Sequence, residues 1–398
     1  MRSVSFKDFS LKESLLKAIA DSGFEHPSEV QQECIPKTAY GDDILAQSKS
    51  GMGKTAIYVL GILNRMEEEP LTETGPQAIV LTHTRELAFQ AAKEFVRFGK
   101  YLPKIKTYVI YGGISIEDQK KKLKEDQPHI LIGTPGRMAT LVKNKSLVLD
   151  KVKYFVIDEC DQMLKETGIH LYIIIDIRED VQYVFCRTPR NKQVMMLSAT
   201  LPKELREICK KFLRVNAFEV FIDNEAKLTL HGLKQFLVKL EEKEKNRKLV
   251  ELLDNTQFVQ VIIFVNSTVR AKLLSSLLRQ HNFPAVAMHG DLRQEERLIR
   301  YKQFKECKTV IMISTDIFGR GVDIDKIDFV INYDLPRDSD TYMHRVGRAG
   351  RFGTKGLAVS FVATKEDEEL MGKVQERFEI KVPVYPDKPD TAVLSTCL

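Results

Sequence analysis

The 398-residue sequence has no tryptophan, only six scattered cysteines, a net charge of just +6 and no long apolar run. Each shortage excludes something. A membrane-crossing helix needs about 18 or more consecutive apolar residues, and no stretch comes near that length. The opening MRSVSFKDFS lacks the apolar core of a signal peptide, so neither secretion nor a membrane partner is expected. Cys34, Cys160, Cys186, Cys209, Cys307 and Cys397 form no CxxC pair and have no histidines at ligand spacing. That removes a zinc ribbon and a disulfide framework, and leaves reduced thiols in a cytoplasmic or nuclear protein as the expectation. The small net charge decides nothing about nucleic acid, since ordinary basic proteins carry as much. No segment has the charge-heavy bias of a disordered chain, and 43% hydrophobic residues supply ample core. At about 150 residues per domain, two or three domains are expected.

What is present is a rhythm. Short β-branched runs alternate with longer amphipathic stretches: DILAQ, AIVLTHT, KTYVIY, HILIG, YFVIDE and QVMMLSAT. Such alternation predicts βαβ units and a parallel sheet. After FEVFID comes the polar NEAKLTLHG, and the rhythm restarts with QFLVKL, QVIIFVNS, PAVAMHG, KTVIMIST, DFVINYD and GLAVSFV. Two α/β domains are expected, over residues 1–222 and 234–384, with a flexible linker at 223–233 and a mobile tail at 385–398. The run GIHLYIIIDI, residues 168–177, reads either as a buried segment or as an exposed partner surface.

Three strings could carry chemistry. In SGMGKT, the backbone of Ser50, Gly51, Met52 and Gly53 can curl around phosphates at the head of a helix. Lys54 can then reach the β and γ phosphates, and Thr55 can ligate Mg²⁺. Ser48 stands where the full GxxxxGK[ST] string has its first glycine. In KYFVIDECD an apolar run ends in carboxylates: Asp158 would hold Mg²⁺, and Glu159 would deprotonate the attacking water. In HRVGRAGR, Arg345, Arg348 and Arg351 recur every three residues, so a helix would bring them to one side, where guanidinium groups stabilise a transferring phosphoryl group. Taken singly, each string has an ordinary reading: a chance glycine-rich loop, a solvated acidic turn, a basic helix face or plain RNA-phosphate binding. The arginines lie in the second domain and the phosphate loop in the first, so catalysis would require the domains to close.

These strings stand in an order that resembles the DEAD-box RNA helicases of superfamily two, from Phe6 to about Phe378. GFEHPSEVQ, TREL, GG, TPGR, SAT, IIFV, QEER and TDIFGRGVD complete the set. The acidic box reads DECD, with Cys160 where the family usually has alanine. With HTREL, KLTLHGL, EKNRKL and RFGTKGLA, it resembles the DECD-box ATPases of pre-mRNA splicing and mRNA export.

The resemblance implies a fold of two RecA-like domains, each a mostly parallel sheet flanked by helices, and an RNA-dependent ATPase using ATP and Mg²⁺. Gln31 would read the adenine edge through its amide, Phe6 would stack on the base, and Asp323 would hold the ribose. RNA would meet Thr84, Arg85, Gly113, Thr134, Pro135, Gly136 and Arg137 in the first domain, and Gln294, Arg297 and Thr315 in the second. Those groups suit phosphate and sugar, so single-stranded RNA and duplexes would bind without strong sequence preference. Ser198, Thr200 and His344 would couple the two halves.

The same resemblance implies a nuclear address, with the cytoplasm as a second one, and THO-type export adaptors and splicing proteins as partners. An ATP-gated RNA clamp with little unwinding needs the same residues and stands as the rival. A small-molecule kinase leaves the second domain idle. Between Met163 and Asp180 the chain is several residues longer than the family normally runs, and this excess is the region Gly168–Ile177.

Overall fold

Parallel strands buried on both faces are largely apolar, and each strand among the described residues coincides with or overlaps one of the runs read above. The computed structural model describes residues 4–48, 51–66, 75–164, 177–222, 232–316, 324, 326–350 and 355–386. The chain divides into two compact units, residues 1–222 and 223–398.

In the first unit the strands are β1 (Ile44–Gln47), β2 (Ala78–Thr82), β3 (Thr107–Ile110), β4 (Ile130–Gly133), β5 (Tyr154–Asp158), β6 (Gln193–Ser198) and β7 (Phe218–Phe221). They form one parallel sheet in the order β3-β4-β2-β5-β6-β1-β7. The helices are α1 (Glu13–Asp21), α2 (Glu29–Tyr40), α3 (Lys54–Arg65), α4 (Arg85–Phe98), α5 (Ile116–Asp126), α6 (Pro135–Lys143), α7 (Cys160–Leu164), α8 (Ile177–Cys186) and α9 (Lys203–Lys210). The strand period of two sends alternate residues to opposite faces. Thus Val80 and Val156 pack beneath α1 to α4, whereas Ile79, Ile157 and Met196 pack beneath α6 to α9. A fully buried side chain such as Ile157 contributes about 1.5–3 kcal/mol relative to exposure.

The second unit repeats the plan with β8 (Leu233–Lys239), β9 (Gln260–Phe264), β10 (Ala285–Met288), β11 (Ile311–Ser314), β12 (Ile327–Asn332) and β13 (Gly356–Val362). Their order is β10-β11-β9-β12-β13-β8, again parallel. The helices α10 (Lys245–Asn255), α11 (Thr268–Gln280), α12 (Gln294–Lys305), α13 (Ser339–Val346) and α14 (Lys365–Arg377) cover its faces.

Two boundaries differ from expectation. Leu233, read as linker, already opens β8, while residues 223–231 of that linker lie outside the described residues. The expected tail begins too early: Tyr385 is buried, donates its amide to Leu237 O at 2.7 Å and packs edge-on against Phe236. An apolar aromatic beside the open edge of β8 gains both a strand partner and a core contact, which overrides the proline-rich character of the segment. Residues 387–398 lie outside the described residues, as do 165–176, which hold all of the Gly168–Ile177 region except Ile177 at the head of α8.

Candidate functional site

In a parallel α/β sheet, ligands gather at the carboxyl ends of the strands, and the phosphate loop follows β1 there. Gly51 and Gly53 have φ of +86° and +69°, a region costly for other residues. Gly53 has a second constraint, because a Cβ there would meet Gln31 Nε2 at 2.3 Å. Lys54 opens α3, and its Nζ donates to Ser48 O at 2.5 Å across the loop. Ser48 N in turn donates to Ser198 O at 3.2 Å, so serine at the missing glycine's place is held as strand-like backbone. Ser28 Oγ donates to Met52 O at 2.7 Å and ties the loop to the head of α2.

Two strands from β1 across the sheet, β5 delivers the carboxylates. Asp158 is buried and its Oδ2 accepts from Tyr58 Oη at 2.9 Å. Burial, and then the charge of Glu159, push its pKa up from 3.8 to about 6. Glu159 sits at φ +54°, unusual for a residue with a side chain, and its Oε2 lies 3.2 Å from His83 Nδ1. The distance is that of an ion pair, but the ring N–H is not aligned as a hydrogen bond. Cys160 is buried with its Sγ 4.0 Å from Cys209 Sγ, and burial holds its thiol well above the usual range. Asp161, the last residue of the box, accepts from Ser198 Oγ at 2.6 Å and Thr200 Oγ1 at 3.0 Å.

A second group lies along the same edge. β2 and β4 pair with Leu81 opposite Gly133, so α4 and α6 start side by side. Thr84 caps α4, its Oγ1 accepting from Leu87 N at 3.3 Å; Thr134 precedes α6, with Pro135 and Gly136 in its first turn. Arg85 lies against the glycine pair, where a Cβ at Gly113 would meet its Nη1 at 2.9 Å. Arg137 Nη1 donates to Gln119 Oε1 at 3.3 Å, and Gln119 Nε2 donates to Tyr111 O at 3.1 Å. Two helix N-termini and two arginines in one place make an anion-binding surface.

In the second unit, Thr315 N donates to Met288 O at 3.2 Å, and Arg297 Nη2 donates to Gly290 O at 2.9 Å. Both residues therefore gather at the carboxyl ends of β10 and β11, beside Gln294 at the start of α12. Ser50, Asp323, Arg351 and the side chain of Gln294 lie outside the described residues.

Several expectations need correction. Phe6 is 3% exposed, edge-on to Phe9 and Phe24 in the core, so it offers no open face to a base. Gln31 is 3% exposed, and both ends of its amide are engaged: Oε1 accepts from Ser28 N at 2.9 Å and Nε2 donates to Gly53 O at 3.0 Å. As placed, it fastens α2 to the phosphate loop. Ser198 and Thr200 donate their hydroxyl protons to Asp161 inside the first unit. Arg345 and Arg348 do not share a helix face, because α13 ends at Val346 with Gly347 as its cap. Arg348 turns back so that its Nε donates to His344 O at 3.0 Å, and both side chains are buried. Tyr58, His83 and Gln119 were not singled out from the sequence. Each touches a motif residue far along the chain, and the only local signal was His83 preceding TREL.

Among the described residues, no group of three or more His, Cys, Asp or Glu could hold a metal. A Mg²⁺ site needs only one or two protein oxygens, with phosphates and water supplying the rest. Asp158, buried beside a second carboxylate, is a group that a divalent cation would favour in its ionised form.

The sequence profile of the DEAD/DEAH box helicases matches residues 28–208, and that of the helicase conserved C-terminal domain matches residues 244–353. The chain is 54% identical over 390 residues to the ATP-dependent RNA helicase SUB2 of Meyerozyma guilliermondii, covering 98% of this chain and 88% of that protein. It is likewise 54% identical over 391 residues to SUB2 of Saccharomyces cerevisiae, covering 98% and 85%. Among solved structures, S. cerevisiae Dbp5 bound to RNA and ADP BeF3 matches with a TM-score of 0.88 and 31% identity over 98% of each chain.

Proposed function

This chain belongs to the DEAD-box family of ATP-dependent RNA helicases, and from that premise we propose that it is an RNA-stimulated ATPase that locally separates RNA duplexes and remodels RNA–protein complexes. The observation that carries the reading is the carboxyl edge of the first sheet. There the phosphate loop and the carboxylates after β5 stand beside the paired starts of α4 and α6, separated only by the step from β5 to β2.

In this reading Lys54 and the loop amides bind the ATP phosphates, and Thr55 and Asp158 hold Mg²⁺. The ion neutralises charge on the phosphates. Glu159 takes the proton of the attacking water. Arg348 and Arg351 are brought from the second unit to stabilise charge on the transferring group, and Asp323 holds the ribose. Thr84, Arg85, Gly113, Thr134 and Arg137 take RNA phosphates in the first unit, and Gln294, Arg297 and Thr315 take them in the second. ATP and RNA each bind both units, so each raises the affinity for the other.

The DECD box and the identity to SUB2 helicases support work in pre-mRNA splicing and mRNA export. We propose that this work is set in the nucleus with a second, cytoplasmic address, beside THO-type and splicing proteins. The test is steady-state ATP hydrolysis with and without single-stranded RNA, for the native chain and Glu159→Gln. RNA should stimulate the native chain strongly, and the substitution should lower the rate by about 100-fold or more while ATP still binds. Equal rates would overturn the assignment of Glu159. A duplex-separation assay run beside it distinguishes an unwinder from a clamp.

A further inference from the structure

The strand register places one residue between the two halves of this site. β2 and β5 pair with Thr82 opposite Asp158, so the residues that follow each strand, His83 and Glu159, emerge side by side. His83 Nδ1 lies 3.2 Å from Glu159 Oε2, and the two side chains are only 16% and 12% exposed. On its other side, His83 is followed directly by Thr84, the cap of α4, and by Arg85 at its first turn. The turn itself is tied, since Thr82 Oγ1 donates to Thr84 O at 2.9 Å. A short, fixed turn therefore carries an imidazole on the general-base carboxylate at one end and the RNA-facing helix start at the other.

The contact has the distance of an ion pair, so a displacement of the turn changes how the imidazole holds the carboxylate. Glu159 is also held in the left-handed region, which is costly for a residue with a side chain.

We infer that His83 is a positioning residue through which RNA bound at the start of α4 orients Glu159 for ATP hydrolysis. Phosphate on Thr84 and Arg85 draws the turn into register, the imidazole N–H aligns with Oε2, and the carboxylate is held toward the attacking water. This rests on the functional reading above.

The test compares His83→Asn, His83→Gln and His83→Leu in the full-length protein. Asparagine places an amide nitrogen near the position of Nδ1, whereas glutamine reaches the position of Nε2 and leucine offers no donor. ATP hydrolysis is measured with and without oligouridylate, together with KM for ATP and the affinity for a labelled oligouridylate. The leucine and glutamine variants should lose about tenfold in RNA stimulation, within the usual range of coupling between sites, with KM and RNA affinity within about twofold of native. The asparagine variant should retain most of the stimulation. If leucine fails to fold, the asparagine and glutamine pair still decides. Full stimulation in the glutamine variant, equal loss in asparagine and glutamine, or a loss explained by weaker RNA binding overturns the link alone. A native chain that RNA does not stimulate overturns the functional reading, and the link with it.

Discussion

The acidic corner of the first unit and the arginine motif of the second differ in what their neighbours leave available. Arg345 is fully buried with its guanidinium spent: Nε donates to Asp316 Oδ1 at 2.7 Å, Nη1 to Asp334 O at 2.7 Å and Nη2 to Asn266 Oδ1 at 3.0 Å. Asp334 is equally committed, to Lys245 at 3.1 Å, to the Asn266 amide at 3.0 Å and to Arg270. That network is closed. At the end of β5, Asp161 is closed in the same way by Ser198 and Thr200, whereas Asp158 and Glu159 stand beside each other as like charges. One is pushed up to about 6 by burial and its neighbour's charge, and the other lies 3.2 Å from the His83 imidazole. Motif residues of equal prominence in the sequence thus divide into those tied into closed networks and those set beside a like charge. Chemistry belongs with the second kind.

Three changes would break or sharpen this contrast. The largest effect is expected from Arg345→Leu, which opens the closed network and should cost about 3–5 kcal/mol. Amide exchange should report lost protection across β9 and β12, with the first unit unaffected. Unchanged protection with abolished ATP hydrolysis would mean that Arg345 acts in the reaction.

Next comes Asp158→Asn, measured without nucleotide and with chelator present. Because the folded pKa is raised from 3.8 to about 6, the native carboxyl contributes favourably below pH 3.8, and that contribution is lost as the pH rises through about 6. An amide does not titrate, so the substitution should stabilise the chain by about 2–3 kcal/mol above pH 7. The gain should vanish near pH 4 in denaturant titrations, and a pH-independent difference would contradict it.

The smallest effect is that of Tyr58→Phe, about 1.5 kcal/mol, the low end for one hydrogen bond to a charged group. Since the tyrosine's donation lowers the pKa of Asp158, its removal should move the titration of that carboxyl further upward, readable by NMR of the side chain.

Much of this was legible in advance. Strands buried on both faces write themselves as continuous apolar runs, so even β1, only four residues long, stood out as DILAQ. The phosphate loop was equally readable, because its chemistry is confined to consecutive residues. What stayed hidden depends on partners distant in the chain. Tyr58 meets Asp158 100 residues away, and Gln31 is consumed by Gly53. Arg348 folds back because α13 stops at Val346, whereas a spacing of three suggests a helix that continues.

The sequence by itself determined the two sheets, the face to which each strand residue points, and the small set of polar residues delivered to the strand ends, since these follow from periodicity and local turn chemistry. Only the tertiary structure decided which of those residues remain available. β5 lies between β2 and β6, so the residues after those two strands, His83 on one side and Ser198 and Thr200 on the other, flank the acidic box. That order of strands, which no local pattern encodes, leaves Asp161 satisfied and sets an imidazole beside Glu159.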